Sequence, residues 1–208
     1  MQTLLEKIKT RTACLGVIGL GYIGLPLAVE NAKAGFKTIG FDIQQKKIDL
    51  LNQGFNYIGD VANEDLEEIV KNGLFKATSD YSKVASCDSV CICVPTPLDE
   101  HQQPDISYVK KSAEGLVPYM HKGLLVVLES TTYPGTTEEL VKPILEKSGL
   151  VCGKDFYLAF SPERVDPGNS KYKIKNTPKI VGGCTQESTD IAAAMYEMVL
   201  EAPVYKVS

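Results

Sequence analysis

The stretch CLGVIGLGYIGLPLAVEN, from Cys14 to Asn31, decides the fold. Its opening residues, CLGVI, are apolar or small, which is typical of a strand that is buried on both faces. The turn Gly19-Leu-Gly21-Tyr-Ile-Gly24 follows at once. After it the apolar residues recur at helical spacing, with Pro26 near the helix start, where its missing N–H matters least. A strand, a G-x-G-x-x-G turn and a helix in this order predict a dinucleotide-binding unit.

Each glycine of the turn has its own task in such a unit. Gly19 allows the tight turn, Gly21 lets a pyrophosphate approach the backbone, and Gly24 lets the helix pack closely on the strand. The helix N-terminus adds free N–H groups and the positive end of a dipole, both of which favour phosphate. The alternative is a purely structural glycine turn, which the flanking strand and helix disfavour.

An acidic residue, Asp42, ends the next predicted strand, about 20 residues beyond the turn. A carboxylate at this position accepts hydrogen bonds from the adenosine ribose hydroxyls and repels a 2′-phosphate, so we predict NAD rather than NADP as cofactor. Lys47, one helical turn further on, complicates this prediction by offering a cation nearby. In the alternative reading Asp42 is only a solvated residue at a strand end.

Strand-like and helical stretches alternate along almost the whole chain, which predicts a doubly wound, mostly parallel α/β sheet of the Rossmann type. The predicted strands are CLGVIG, KTIGFD, FKAT, DSVCICV, GLLVVLES, FYLAF, KIVGG and PVYKV. The predicted helices cover residues 23–33, 45–52, 63–72, 107–118, 136–147 and 186–199, after a short helical lead-in at 2–10. The least regular stretch, 161–178, is expected to form a site loop.

Composition excludes some function classes. The chain has 208 residues, with 22 basic and 26 acidic side chains and a net charge of −4, which argues against nucleic acid as a partner. No apolar run approaches the roughly 20 residues that span a bilayer, so no membrane partner is expected. The N-terminal residues lack the apolar run of a secretion signal, and we expect a cytoplasmic protein.

The six cysteines sit mostly in apolar, strand-like surroundings, where a disulfide framework is not expected. Cys91 and Cys93 alternate within one predicted strand, so they share a face, and burial there would make the thiols inert. Cys87, Cys91 and Cys93 do not have the spacing of a metal site. With only His101 and His121 elsewhere, the residues offer neither a metal pair nor a catalytic triad, and no cysteine is a credible nucleophile.

Further motifs occur in order along the chain and carry a family resemblance: GLGYIGLPLA, GFD, VPTPLDE, ESTTYPGT, FSPERVDPGN and PKIVGG. Together they resemble the UDP-glucose/GDP-mannose dehydrogenase family over essentially the whole chain. LAFSPERVDPGN looks most like the UDP-N-acetylglucosamine 6-dehydrogenase branch. The resemblance implies an NAD-dependent enzyme that oxidises C6 of a UDP-sugar from alcohol to carboxylate in two hydride transfers.

The resemblance also implies roles for individual residues. Near the cofactor it places Gly19, Leu20, Gly21, Tyr22, Ile23, Gly24, Asp42, Lys47, Val94, Pro95, Thr96, Pro97, Ser130 and Thr131. It gives Thr131 a second role, in positioning a catalytic water. It makes Glu163 an acid/base residue that also contacts substrate, with Arg164 and Val165 on the sugar nucleotide. No residue is implied to bind a metal.

Structural alternatives to these roles remain open. Thr96, between two prolines, can be a rigid turn alone. Ser130 and Thr131 can be a hydroxyl cluster that caps the next helix. Glu163 can be a structural carboxylate paired with Arg164 or a nearby lysine. Four lysines follow in the next segment, and they can attract the UDP phosphates or form a solvated loop. They are Lys171, Lys173, Lys175 and Lys179.

Two departures from the family pattern affect the predicted substrate and the predicted domain organisation. The UDP-glucose branch has a second glutamate where this chain has Pro167, which shifts the expected substrate from UDP-glucose towards an N-acetylated sugar. Family members also continue into a central helix that bears a lysine and an asparagine, and into a second domain with the nucleophilic cysteine. We therefore expect residues 1–208 to be the NAD-binding domain of a longer enzyme that is a homo-oligomer, and the 208 residues alone to be inactive.

Two other function classes compete. The first is another two-domain NAD-dependent dehydrogenase, of the β-hydroxyacid type, which begins with the same glycine turn but does not predict ESTTYPGT followed by SPER. The second is a non-catalytic NAD-binding module. The sequence does not distinguish UDP-N-acetylglucosamine from the related UDP-sugars, and it does not identify a downstream pathway.

Overall fold

One eight-stranded sheet organises the chain. The computed structural model describes residues 2–98, 100, 102–164, 169 and 171–207. The strands lie in the order β3-β2-β1-β4-β5-β6-β7-β8. Their bounds are β1 Cys14–Ile18, β2 Lys37–Phe41, β3 Phe75–Thr78, β4 Ser89–Ile92, β5 Leu125–Leu128, β6 Tyr157–Phe160, β7 Lys179–Gly183 and β8 Val204–Lys206.

Helices connect the strands and cover both faces of the sheet. Their bounds are α1 Leu4–Lys9, α2 Gly24–Lys33, α3 Gln45–Asn52, α4 Asn63–Lys71, α5 Ser107–Leu116, α6 Lys142–Leu145 and α7 Gln186–Val199. The buried residues of α1, α2, α3, α4 and α7 join one core cluster, and those of α5 and α6 join a second cluster. The predicted doubly wound architecture is therefore confirmed.

The strand order reverses beside β1, since β2 pairs on one side of it and β4 on the other, both parallel. A crevice opens at such a switch point beyond the carboxyl ends of the strands, and ligands of open α/β sheets bind there. The sheet is parallel from β3 to β6 and again between β7 and β8, but β7 runs antiparallel to β6. The amino end of β7 therefore lies at the same edge as the carboxyl ends of β1 to β6.

The predicted helix over 136–147 is the least accurate of the predicted elements. The structure has a π-helical segment, Thr136–Val141, then the short α6 and a 3₁₀ turn, Glu146–Ser148. Pro143 lies in the first turn of α6. Because proline lacks an N–H and its ring crowds the preceding turn, a regular α-helix cannot run through this position.

Within the described part of the chain, no helix combines the length and the apolar character needed to cross a membrane.

Candidate functional site

The glycine turn lies between β1 and α2, and the structure explains each of its three glycines. Gly19 has φ +90°, and a Cβ there would lie 2.7 Å from the carbonyl oxygen of Cys93. A Cβ on Gly24 would lie 1.8 Å from the carbonyl oxygen of Gly19. By contrast, a Cβ on Gly21 would meet nothing within 4 Å. Packing therefore requires glycine at positions 19 and 24, whereas Gly21 faces open space.

The open side of Gly21 fits the pyrophosphate of a dinucleotide. The first residue of α2 is Gly24, and the preceding Ile23 has no side-chain hydrogen bond to cap the helix. The first-turn N–H groups of a helix need partners, and they attract anions together with the helix dipole. Tyr22, the next residue after Gly21, is exposed.

Asp42 follows β2 and is hydrogen-bonded to the glycine turn. Its Oδ2 accepts from the backbone N–H of Leu20 at 3.1 Å, and its Oδ1 accepts from the N–H of Gln44 at 2.9 Å. A carboxylate has about four lone-pair sites, so these bonds leave acceptor capacity for ribose hydroxyls. Leu20 itself is buried, and its amide links the turn to Asp42.

Lys47 lies on α3 near Asp42, beside Tyr57. Its Nζ is 5.4 Å from the centroid of the Tyr57 ring, within range of a cation–π interaction. The Tyr57 hydroxyl donates a hydrogen bond of 2.6 Å to the carbonyl oxygen of Leu20. Burial, and then the nearby Asp42 carboxylate, raise the pKa of the Tyr57 hydroxyl, so it remains a neutral donor. Tyr57 thus supports the turn from the side of α3.

The loops after β4 and β5 are joined by Ser130. Its buried hydroxyl donates to the carbonyl oxygen of Val94 at 2.7 Å, with a second, longer contact of 3.3 Å to that of Ile92. Thr131, next in the chain, is exposed. The helical segment that follows begins after Gly135 without a side-chain cap. The alternative that Ser130 and Thr131 cap that helix is therefore wrong.

The loop from Val94 to Pro97 follows the carboxyl end of β4, the strand that pairs with β1. Val94 and Thr96 are half-buried, and the prolines at 95 and 97 are exposed. The Pro97 carbonyl oxygen accepts from the N–H of Asp105 at 2.7 Å, which ties the loop to the segment that leads into α5.

A buried cluster of charged and polar groups lies after β5 and β6. Lys179 Nζ is 2.7 Å from Oε2 of Glu129 and 3.2 Å from Oε2 of Glu163. The Tyr196 hydroxyl, from α7, donates to the other Glu129 oxygen, and the Tyr196 ring centroid is 5.3 Å from the same ammonium. The exposed fractions of the Lys179, Glu129 and Glu163 side chains are 7%, 0% and 9%.

Electrostatics within this cluster keep Lys179 charged. Burial by itself would lower the pKa of the ammonium, but the carboxylates of Glu129 and Glu163 outweigh burial and raise that pKa. Burial, assisted by the neighbouring thiol and carboxylate of Cys91 and Glu129, raises the pKa of the Tyr196 hydroxyl. Tyr196 therefore acts as a neutral hydrogen-bond donor and Lys179 as a cation.

The structural alternative for Glu163 is partly correct, because Glu163 does pair with a lysine, namely Lys179. Lys179 itself is buried and so does not belong to a solvated basic loop, although the exposed Lys171 and Lys173 and the half-buried Lys175 do. Arg164 is exposed, and its backbone N–H donates to Glu163 Oε1 at 2.7 Å. Two further residues of this segment, Val165 and Pro167, lie outside the described residues. So does His101, which belongs to an earlier loop.

The predicted burial of Cys91 and Cys93 on one face of the sheet is confirmed. Cys91 and Cys93 are buried in the same core cluster, and burial raises the pKa of both thiols. All six cysteines are free. Among residues 2–98, 100, 102–164, 169 and 171–207, no group of three or more histidine, cysteine, aspartate or glutamate side chains could hold a metal ion.

Sequence reasoning missed Glu129 and Tyr196 and misplaced Lys179. Glu129 carries a signal in retrospect, because it is a charged residue at the end of the apolar run LLVVL, and a charge in such a place needs a partner. Lys179 opens the strand KIVGG in the same way. Their pairing depends on the antiparallel placement of β7, which no local pattern indicates.

Known proteins resemble this chain in sequence. Residues 13–200 match the model of the UDP-glucose/GDP-mannose dehydrogenase family, NAD binding domain. Protein CapL of Staphylococcus aureus is 42% identical over 195 residues, covering 93% of this chain and 45% of that protein. UDP-N-acetyl-D-glucosamine 6-dehydrogenase of Salmonella typhi is 38% identical, covering 92% and 44%. The chain thus spans about half the length of these curated relatives.

A solved structure is similar over the whole chain. It is that of NDP-N-acetyl-D-galactosaminuronic acid dehydrogenase from Methanosarcina mazei Go1, with a TM-score of 0.88 and 36% sequence identity. The match covers 100% of this chain and 47% of that one.

Proposed function

Because the chain belongs to the UDP-glucose/GDP-mannose dehydrogenase family and its residues 13–200 match the NAD-binding domain, we propose that the protein oxidises C6 of a UDP-sugar from an alcohol to a carboxylate. The conversion removes four electrons from the sugar and consumes one water, and bound NAD supplies the hydride acceptor for each of its two steps. One observation carries the proposal: the cofactor-type glycine turn and a buried acid/base cluster face the same edge of the sheet.

The first part of the proposal concerns cofactor binding. The N–H groups of the glycine turn hold the pyrophosphate, with Tyr22 and Ile23 beside it. The Asp42 carboxylate accepts from the adenosine ribose near Lys47 and selects NAD over NADP. The loop from Val94 to Pro97 and the hydroxyls of Ser130 and Thr131 border the nicotinamide end. Support comes from the open space at Gly21 and from the hydrogen bond that fixes Asp42 beside the turn.

The second part concerns the substrate. Glu163 acts as an acid/base group on the reacting sugar, and Thr131 orients the water that is consumed. Arg164 and Val165 contact the sugar nucleotide. Glu163 lies three residues beyond β6, where its side chain is mostly buried, and the next residue, Arg164, is exposed.

For the sugar we propose UDP-N-acetylglucosamine. Pro167 stands where the UDP-glucose branch has a glutamate, and a relative named for UDP-N-acetyl-D-glucosamine is 38% identical. Relatives named for other N-acetylated sugars are of comparable similarity, so the acetamido group supports the proposal more strongly than the sugar configuration does.

The third part concerns the whole protein. The chain spans about half of its relatives' length, and we propose that residues 1–208 are the NAD-binding domain, while further sequence supplies a central helix, a second domain and the nucleophilic cysteine. In this proposal the complete protein is a cytoplasmic homo-oligomer. The competing β-hydroxyacid and non-catalytic readings predict no oxidation of any UDP-sugar.

The test counts NADH formed per sugar by the full-length protein, with UDP-N-acetylglucosamine, UDP-N-acetylgalactosamine, UDP-N-acetylmannosamine and UDP-glucose. The proposal expects two NADH per UDP-N-acetylglucosamine, and much slower reaction with UDP-glucose. A preference for another N-acetylated sugar would correct the substrate alone. Binding of NAD without oxidation of any of the four sugars would leave only the cofactor assignment standing.

A further inference from the structure

The buried cluster contains a lysine whose position suggests a task beyond neutralising charge. The Lys179 ammonium contacts two carboxylates, one on a strand end and one on a site loop. We propose that Lys179 is a positioning residue, which fixes the Glu163 carboxylate at the crevice. This inference rests on the proposed function, in which Glu163 acts on the substrate.

The sheet topology brings the two residues together. Strand β7 runs antiparallel to β6, with Phe160 opposite Gly182. Continuing this register by three residues along each strand brings Glu163 opposite Lys179. The amino end of β7 thus delivers a lysine to the edge where the parallel strands deliver their carboxyl ends. A parallel β7 would place that lysine at the far edge of the sheet.

Lys179 is itself held from the core side. Glu129 Oε2 lies 2.7 Å from its ammonium, and the Glu129 side chain is fully buried. Tyr196 fixes the other Glu129 oxygen by a hydrogen bond and presents its ring to the ammonium at 5.3 Å. The ammonium is therefore anchored by groups on β5 and α7, and Glu163, on the loop, is the partner that it orients.

Glu163 is held at both of its carboxylate oxygens. Oε2 contacts Lys179 at 3.2 Å, and Oε1 accepts from the backbone N–H of Arg164 at 2.7 Å. With both oxygens engaged, the carboxylate keeps one orientation relative to the end of β6. Proton transfer and water activation depend steeply on such orientation, because a displacement of about 1 Å can cost a hundredfold in rate.

The test uses the full-length protein and a variant that should keep its fold. Lys179→Met alone leaves Glu129 buried without a cation, so the double variant Glu129→Gln/Lys179→Met removes both charges together. Lys179→Arg is the conservative variant, and Lys206→Met is the matched control, since Lys206 pairs with Asp190 on the exposed surface. The readouts are kcat, KM for NAD and UDP-sugar, and hydrogen exchange of the Glu163 and Arg164 amides.

The proposal expects the double variant to lose at least about tenfold in kcat, with both KM values within about threefold of wild type. The Glu163 and Arg164 amides should exchange faster. Lys179→Arg should recover part of the kcat, and Lys206→Met should match wild type in every readout.

An unchanged kcat and unchanged exchange at the Glu163 and Arg164 amides in the double variant would overturn the positioning role. The exchange measurement does not need turnover. If the wild-type protein oxidised no UDP-sugar, the proposed function would fail, and the exchange result would still decide whether Lys179 orders this loop.

Discussion

The two sides of the crevice are built by different means. On the side of β1 and β2 the site is made of backbone, since three glycines and the Leu20 amide set its shape. On the side of β5, β6 and β7 it is made of buried charged side chains, centred on Lys179. The first side tolerates almost no added atom at Gly24, and the second tolerates almost no change of charge. The difference suggests a division of labour, with shape holding the cofactor and charge serving the reaction.

The largest expected effect comes from Lys179→Met, which removes the cation from the charged side of the crevice. The variant leaves the buried Glu129 carboxylate without its cation, so we expect the free energy of unfolding to fall by about 3–5 kcal/mol. Chemical denaturation of the full-length protein, followed by circular dichroism, measures the change.

The double variant Glu129→Gln/Lys179→Met is the control for this prediction. It should lose clearly less stability than Lys179→Met, because it leaves no unpaired buried charge at Glu129. Equal losses in the two variants would mean that packing of the lysine stem, rather than charge, makes the cluster stable.

A second expected effect comes from Gly24→Ala, which adds a methyl group to the tightly packed glycine turn. The new methyl group would lie 1.8 Å from the Gly19 carbonyl oxygen, so the turn or the helix must shift. We expect a loss of about 3 kcal/mol in the free energy of unfolding, the upper end for inserting one group into a packed site. A melting temperature equal to that of wild type would show that the turn relaxes freely and that shape is not its constraint.

A smaller effect, on binding alone, is expected for Gly21→Ala, the matched change three residues earlier in the turn. A Cβ there meets no protein atom within 4 Å, so stability should stay within about 1 kcal/mol of wild type. The methyl group would occupy the space that we assign to the pyrophosphate, and we expect NAD to bind about tenfold more weakly, about 1.4 kcal/mol. Calorimetric titration measures the affinity of the variant for NAD. An affinity equal to that of wild type would mean that the pyrophosphate does not bind beside Gly21.

The contrast between the two sides also explains what the sequence could predict. The glycine turn and Asp42 could be recognised locally, because the turn directly follows one strand and Asp42 directly follows the next. The alternation of apolar strands and amphipathic helices likewise predicted the doubly wound fold, and α3, β3, β7 and α7 have the predicted bounds. Patterns of this kind are set by neighbours in sequence or by the periodicity of an element.

The charged side could not be predicted in the same way. Glu129 and Lys179 are far apart in sequence, and they meet only because β7 reverses direction beside β6. The π-helical segment at Thr136–Val141 was missed for a related reason, since Pro143 alters the hydrogen bonding of residues that otherwise look helical. Neither the Glu129–Lys179 pair nor the effect of Pro143 follows from the repeating apolar pattern of a single strand or helix.

The division of labour is tested most directly by Glu163→Gln in the full-length protein, with NAD affinity and turnover measured on the same preparation. We expect the Kd for NAD to stay within about twofold of wild type, while NADH formation with UDP-N-acetylglucosamine falls by about 100-fold or more, the range for losing an acid/base group. A parallel loss of NAD affinity, or turnover close to wild type, would contradict the account that the charged side serves the reaction and the glycine side holds the cofactor.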